Sequence, residues 1–336
     1  MSIVAGTGIA LEDELDEKKF HSIKSRLINR EGKTYYDFKK TLKPNYTKIA
    51  LDITSGWLVI FGCVFIGIYT NQLSSNWLKL FVSLADAILL GFAVNYLSNF
   101  FHEAAHFNIA PGKLKNDLLA NMFLGILQAQ HIKHYRVVHW KHHINLGTPE
   151  DTEHSYFDAL SLRFFFESLT GIRAIRVFLF RSNNTKSGEK EDDSLKNQKR
   201  MMLFAAAVFH LIVLFIFIIT THYWMVGIWL AGFGTFFPFF ASLRQLLEHR
   251  DEWANKNRNY FKTPHGKINR IFSGRGFAAS FGSAGFDRHL LHHLEPQISY
   301  TNLKELDLFL QETFINDALK KRKTTYLKTF ISLIGK

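Results

Sequence analysis

His139-Trp140-Lys141-His142-His143 is the stretch from which the rest of the chain is read, because its spacing returns about 150 residues later as His289-Leu290-Leu291-His292-His293. Positions i, i+3 and i+4 share one face of a helix, so each run is expected to project three imidazoles towards one point. His102 and His106, at i and i+4, add two more by the same geometry. Eight imidazoles exceed the four ligands of a structural zinc, or the three plus water of a catalytic one, so two metal ions are the economical reading. Imidazole-rich, thiolate-free surroundings suit iron, zinc, copper or nickel, and ligand type alone does not choose among them.

Outward from the histidines the chain turns apolar. Of its 336 residues 47% are hydrophobic and 15% aromatic, and they gather in runs near the length of about 20 residues that crosses a hydrocarbon layer. Four such runs lie at about 49–69, 80–99, 201–220 and 224–243. The turns between the first two and between the last two are short, which predicts two antiparallel hairpins. The expected fold is therefore an all-α membrane protein, with four transmembrane helices in two hairpins and a helical cap that carries the histidines. Asp86, costly against lipid, should face the bundle interior, and His210 should be a polar contact within the bundle.

The formal charge of +12 fits an anionic membrane face rather than nucleic acid, because the basic residues flank the apolar runs. Lys and Arg concentrate before the first run, between the second and third, and after the fourth. The positive-inside bias then places these long segments, every histidine motif and both termini in the cytoplasm of an integral multi-pass protein. No signal peptide is read at the start. The chain divides into a polar arm (1–46, acidic from Glu12 to Glu17 and then basic), a membrane and catalytic domain (47–303), and a C-terminal helix with a basic tail (304–336).

Within the middle domain, 116–130 reads as an interfacial or re-entrant helix, with His131 and His134 as ordinary polar-face histidines leading into the HWKHH run. Residues 156–181, with phenylalanines beside arginines, suit a helix in the headgroup plane, and 182–200 suits a solvated linker. The one cysteine, Cys63, leaves no thiolate set for an iron-sulfur cluster or a redox pair, so electrons must come from a partner.

The order His102-Glu103-Ala104-Ala105-His106 at the end of the second membrane helix, HWKHH after it, and HLLHH after the fourth helix resembles the membrane fatty acid desaturase and hydroxylase superfamily. His292-His293-Leu294-Glu295-Pro296, followed by Ser299-Tyr300 and Leu303, is similar to the HHxxP and downstream Tyr-Leu pattern of many members. The resemblance implies two non-haem iron ions held by His102, His106, His139, His142, His143, His289, His292 and His293. The resemblance implies a ninth ligand, His249, just after the last membrane helix. It also implies O2 as co-substrate, an external electron donor such as a ferredoxin or a cytochrome b5-type carrier, and a membrane lipid or acyl substrate oxidised to an alkene (desaturation) or an alcohol (hydroxylation). Where some members carry an asparagine four residues before the ninth histidine, this chain has Gln245. Glu103 is expected to hydrogen-bond a ligating imidazole, and the many phenylalanines of the membrane helices to line an apolar tunnel.

Two readings from other classes compete. HEAAH is also a literal HExxH, which can hold zinc with Glu103 as general base of a membrane protease, but that leaves both HxxHH copies without a task. A metal-binding or transporting membrane protein is the other, and there the histidines lie outside the spanning segments, where a permeation path does not need them.

Overall fold

The computed structural model describes residues 15, 17–153, 155–173, 175–176, 179, 193–255, 257–260, 262–263 and 268–336. In chain order its α-helices are α1 (Glu17–Ile23), α2 (Tyr35–Thr41), α3 (Tyr46–Thr70), α4 (Asn76–Ala105), α5 (Lys113–Leu119), α6 (Ile126–Gln128), α7 (Ile132–Asn145) and α8 (Leu162–Leu169). After the 180–192 gap in description come α9 (Asp193–Ile219), α10 (Tyr223–His249), α11 (Phe277–Phe281), α12 (His289–Leu294), α13 (Leu303–Gln311), α14 (Asn316–Lys321) and α15 (Tyr326–Leu333). Two short strands, β1 (Ile271–Phe272) and β2 (Lys323–Thr324), pair in parallel.

Among the described residues, four helices are long and apolar enough to cross a membrane: α3, α4, α9 and α10. Only 11% of the most apolar window of α9 is buried inside the protein, so its side chains need an apolar medium around them. Phe61, Phe65, Phe81, Phe204 and Phe215 are all exposed on these helices. They face outwards to that medium, whereas Phe100, Phe101 and Phe217 are buried in the bundle. Asp86 is buried, as expected, and Trp229 Nε1 donates to His210 Nδ1 at 3.1 Å within the bundle.

The helices run further than the apolar runs suggest, because polar turns continue the hydrogen-bonded ladder beyond the apolar layer. α4 reaches Ala105 and so includes His102, and α9 starts at Asp193, inside the stretch expected as linker. The remainder of that stretch, 182–192, lies outside the described residues, as does most of the acidic start of the arm. The two hairpin turns meet at the end remote from the histidines, where Asn71 Nδ2 donates to Thr221 O at 3.1 Å and to His222 Nδ1 at 3.0 Å. Where the hairpins cross, α4 and α10 touch backbone to backbone. A Cβ at Gly91 would stand 2.4 Å from Phe236 Cβ and 2.7 Å from Phe237 N. The contact falls at a π turn, Gly232–Phe236, inside α10.

On the other side lies the cap. Phe20, Leu27 and Tyr35 of the N-terminal arm pack with Leu290, Leu291 and Leu294 of α12 and with Leu306 and Leu310 of α13 in one buried cluster. Lys24 and Lys39 both pair with Glu295, at 3.3 and 2.5 Å. The arm is thus fastened onto the histidine-bearing helix. The single C-terminal helix expected ahead of the basic tail is two helices, because Glu312 N and Thr313 N turn back to Phe309 O and Leu310 O and let Leu310, Ile315 and Leu319 share one core.

Candidate metal centre

The first two histidine groups are brought together by a helix end. The last carbonyls of α4 have no partner within the helix. Arg136 of α7 fills that need, donating through Nε to Ala105 O at 2.8 Å and through Nη2 to Ala104 O at 3.2 Å, while Asp117 holds the same guanidinium at 2.5 Å. Asn116 Nδ2 takes Ala104 O as well, at 2.9 Å. α7 therefore lies across the end of α4 with His139, His142 and His143 beside His102 and His106. The end of α10 is capped in the same manner by Arg270, whose guanidinium donates to Leu247 O at 3.0 Å and Arg250 O at 2.6 Å and so fixes His249.

All nine expected histidines are buried and converge. The donor nitrogens of His102, His106, His139, His143 and His292 form one set within 4.8 Å of one another, and those of His142, His249 and His293 form another. His289 joins the second, its Nε2 lying 3.0 Å from His249 Nε2 and 3.1 Å from His293 Nε2. Each HxxHH run is thus divided, contrary to the single point expected of it. Its i and i+4 imidazoles serve one set and its i+3 imidazole the other, since neighbouring helical positions diverge by about 100°.

The contacts inside each set are not hydrogen bonds. His139 Nε2 lies 2.9 Å from His106 Nε2 and 3.0 Å from His143 Nε2. One ring nitrogen either donates one proton or offers one lone pair, so it cannot satisfy two such neighbours. Nitrogens bound to a common ion at about 2.1 Å stand about 3.0 to 3.4 Å apart, so these spacings suit donors that share an ion. Both nitrogens of His102 and of His292 are buried without a hydrogen-bond partner, which also fits donors waiting for an ion.

The outward nitrogens of His142, His139 and His249 have the partners that ligating imidazoles usually carry. His142 Nδ1 faces Asp151 at 2.8 and 3.0 Å, and Tyr156 Oη donates to the same carboxylate at 2.5 Å. His139 Nδ1 faces Glu153 at 3.4 Å, and His249 Nδ1 donates to Ile268 O at 3.2 Å. Gln245 does not reach an imidazole. Its Nε2 donates to Glu153 and its Oε1 accepts from Ser155 N at 2.8 Å. Burial, reinforced by neighbouring imidazoles, holds His106, His143, His289, His292 and His293 well below the ordinary imidazole range. Burial also lowers His139, although Glu153 opposes it. Neutral imidazole is the form that binds a metal. Burial and Asp151 together push the Tyr156 phenol up, so it stays a donor.

Glu103 does not face the first histidine pair. Its Oε2 accepts the Tyr300 N–H at 3.2 Å, and its Oε1 stands 3.8 Å from His292 Nδ1, too long for a hydrogen bond. A fully buried carboxylate behind the third histidine run is poorly placed as the base of a zinc protease. His131 Nε2 contacts Asn121 Nδ2 at 3.2 Å at the start of α7, and neither His131 nor His134 belongs to either set. The sequence reading missed Asp151, Glu153 and Glu248. The first two stand in the acidic run Glu150-Asp151-Thr152-Glu153 just after HWKHH. Glu248 precedes His249 and comes within 3.8 Å of His289 Nε2, with its carboxylate also held by Arg244 at 2.7 Å.

Nine convergent, buried imidazoles, three of them held from behind by a carboxylate or a carbonyl, form a site able to hold metal. No curated protein matches the chain in sequence. The sequence model of the fatty acid desaturase family matches residues 75–324, well over half of the chain and all nine histidines, and the chain belongs to that family.

Proposed function

We propose that the chain is a membrane-bound, O2-dependent di-iron oxidoreductase that oxidises C–H bonds of a lipid or acyl chain, as a fatty acid desaturase. The observation that carries this is the division of nine buried histidines into adjoining sets of five and four. His102, His106, His139, His143 and His292 would hold one iron, and His142, His249, His289 and His293 the other. Bound there, the two irons would supply the reductive activation of dioxygen that the oxidation of an unactivated C–H bond requires. The chain's own residues prepare the site. Asp151 and Glu153 set the tautomers of His142 and His139 by accepting hydrogen bonds from their Nδ1–H groups, and the Tyr135 ring, stacked on His139 at 5.5 Å, packs against one wall.

The electrons come from a separate carrier, a ferredoxin or a cytochrome b5-type protein, and the positive-inside bias puts the histidine end and both termini in the cytoplasm. Metal analysis of the detergent-purified protein should find close to two irons per chain. A single zinc, with no oxygen consumption when reductant and carrier are supplied, would overturn the reading. Mass spectrometry of lipids from cells with and without the protein should find a product two hydrogens lighter. A gain of one oxygen instead would assign the hydroxylase reaction.

A further inference from the structure

Two short helices at the histidine end are apolar on both faces. α15 turns Tyr326, Thr329 and Leu333 inwards, where the Tyr326 ring stacks on Phe272 at 3.8 Å and Leu333 joins a core with Leu246 and Leu247 of α10. Its outer face carries Leu327, Ile331 and, just past its end, Ile334, all exposed. α8 repeats the arrangement: Phe164 is buried, while Leu162, Phe166 and Leu169 are exposed, Leu162 by 89%. Each outer stripe keeps the i, i+4, i+7 spacing of a single helix face, and a helix apolar all round needs an apolar neighbour on every side.

The two helices are fastened to each other. Leu160, just ahead of α8, pairs with Ile334, and Gly335 N donates to Leu160 O at 2.8 Å. The Phe165 and Phe330 rings meet at 6.3 Å. Their contacts with the bundle give their height. The Phe165 ring lies 5.9 Å from Phe239 of α10, a residue about 15 Å along the helix from His249 at 1.5 Å per residue. Phe277 of α11, also exposed, stacks at 5.1 Å on Phe92 of α4, which stands at the same remove from His102. Both contacts fall inside apolar runs of the spanning helices, 224–243 and 80–99.

The charge of the segment points the same way. Residues 320–336 hold Lys320, Lys321, Arg322, Lys323, Lys328 and Lys336 and no acidic residue, a composition that suits a helix lying against phosphate headgroups. A soluble partner at this height would have to displace lipid from the flank of α10, whereas lipid already surrounds that flank.

We propose that α8 and α15 lie side by side in the boundary between headgroups and acyl chains, in the leaflet on the histidine side, with phospholipid covering both outer stripes. The sequence suggests this placement for α8 alone. The C-terminal helix is then a membrane anchor and not part of a water-facing cap, and the surface is continuous with the lipid-facing flanks of α4 and α10.

The test places a nitroxide label on Ile331→Cys in the full chain, reconstituted in nanodiscs of phosphatidylcholine and phosphatidylglycerol, the native Cys63 being buried. Its spin relaxation by O2, which concentrates in hydrocarbon, is compared with that by a water-soluble nickel chelate, which hydrocarbon excludes. The ratio of O2 to nickel effect at Ile331→Cys should exceed that at Trp253→Cys about tenfold, because a polar chelate pays heavily to enter an apolar layer. It should approach the ratio at Phe215→Cys, on the lipid-facing side of α9. Relaxation dominated by nickel would put the stripe in water, and protection from both reagents would put a second copy or another protein over it. Either result overturns the proposal. Phe166→Cys on α8 gives an independent reading of the same surface, so the outcome is decided even if Ile331→Cys does not fold.

Discussion

Asp151 does more for the centre than any other residue outside the nine histidines. Buried completely, it accepts from His142 Nδ1 and Tyr156 Oη, and its Oδ1 also accepts the Glu153 N–H at 2.8 Å, so one carboxylate orients an imidazole and the loop that carries the next carboxylate. Asp151→Asn keeps the shape but can offer His142 an amide N–H where it needs an acceptor. Iron affinity should fall about 10–100-fold, with the chain still folded, as measured by iron titration alongside circular dichroism. The histidines were legible because ligand spacing is a short-range pattern. Asp151 and Glu153 were not, since an acidic run in a sequence is more often a solvated surface than a set of imidazole partners. Nor could the spacing of HxxHH reveal its division between two sets, which depends on where His292 arrives from the far end of the chain.

Among the elements, the crossing of α4 and α10 tolerates least. Gly91→Ala would drive a methyl group into Phe236 and the Phe237 backbone, and overpacking of this kind costs about 1–3 kcal/mol. A lowered melting temperature with loss of bound iron is expected, because the same two helices carry His102 and His249 at their ends. The N-terminal arm gives a second test. Glu295→Gln removes the anion that Lys24 and Lys39 share, at a cost of about 1–3 kcal/mol. Limited trypsin digestion should then cut the arm between residues 18 and 40 sooner than in the unaltered chain. The spanning helices were legible from apolar length, and their ends were not, since helix hydrogen bonding continues into polar sequence until a cap such as Arg136 or Arg270 stops it. The docking of the arm was hidden for a similar reason. Phe20, Leu27 and Tyr35 are spaced too widely in a charged stretch to announce a core that exists only with α12 and α13 beside it.

For the whole molecule, the metal and the membrane each make a prediction. Chelation of iron should lower the melting temperature by about 5 °C or more, and added Fe(II) should restore it, because ligand that binds only the folded state stabilises it. Orientation is read with a membrane-impermeant thiol reagent, the native Cys63 being buried. On intact cells Ser74→Cys, in the first hairpin turn, should label. Trp253→Cys, 91% exposed at the histidine end, should label only after lysis.

The division of the nine histidines also bears on how the protein is made. His102, His106, His139, His142 and His143 leave the ribosome before α9, and His249, His289, His292 and His293 only after α10 begins. Each set takes one member from the other half: His292 completes the early four, and His142 completes the late three. A nascent chain therefore holds neither complete set of histidines until the second hairpin has docked on the first.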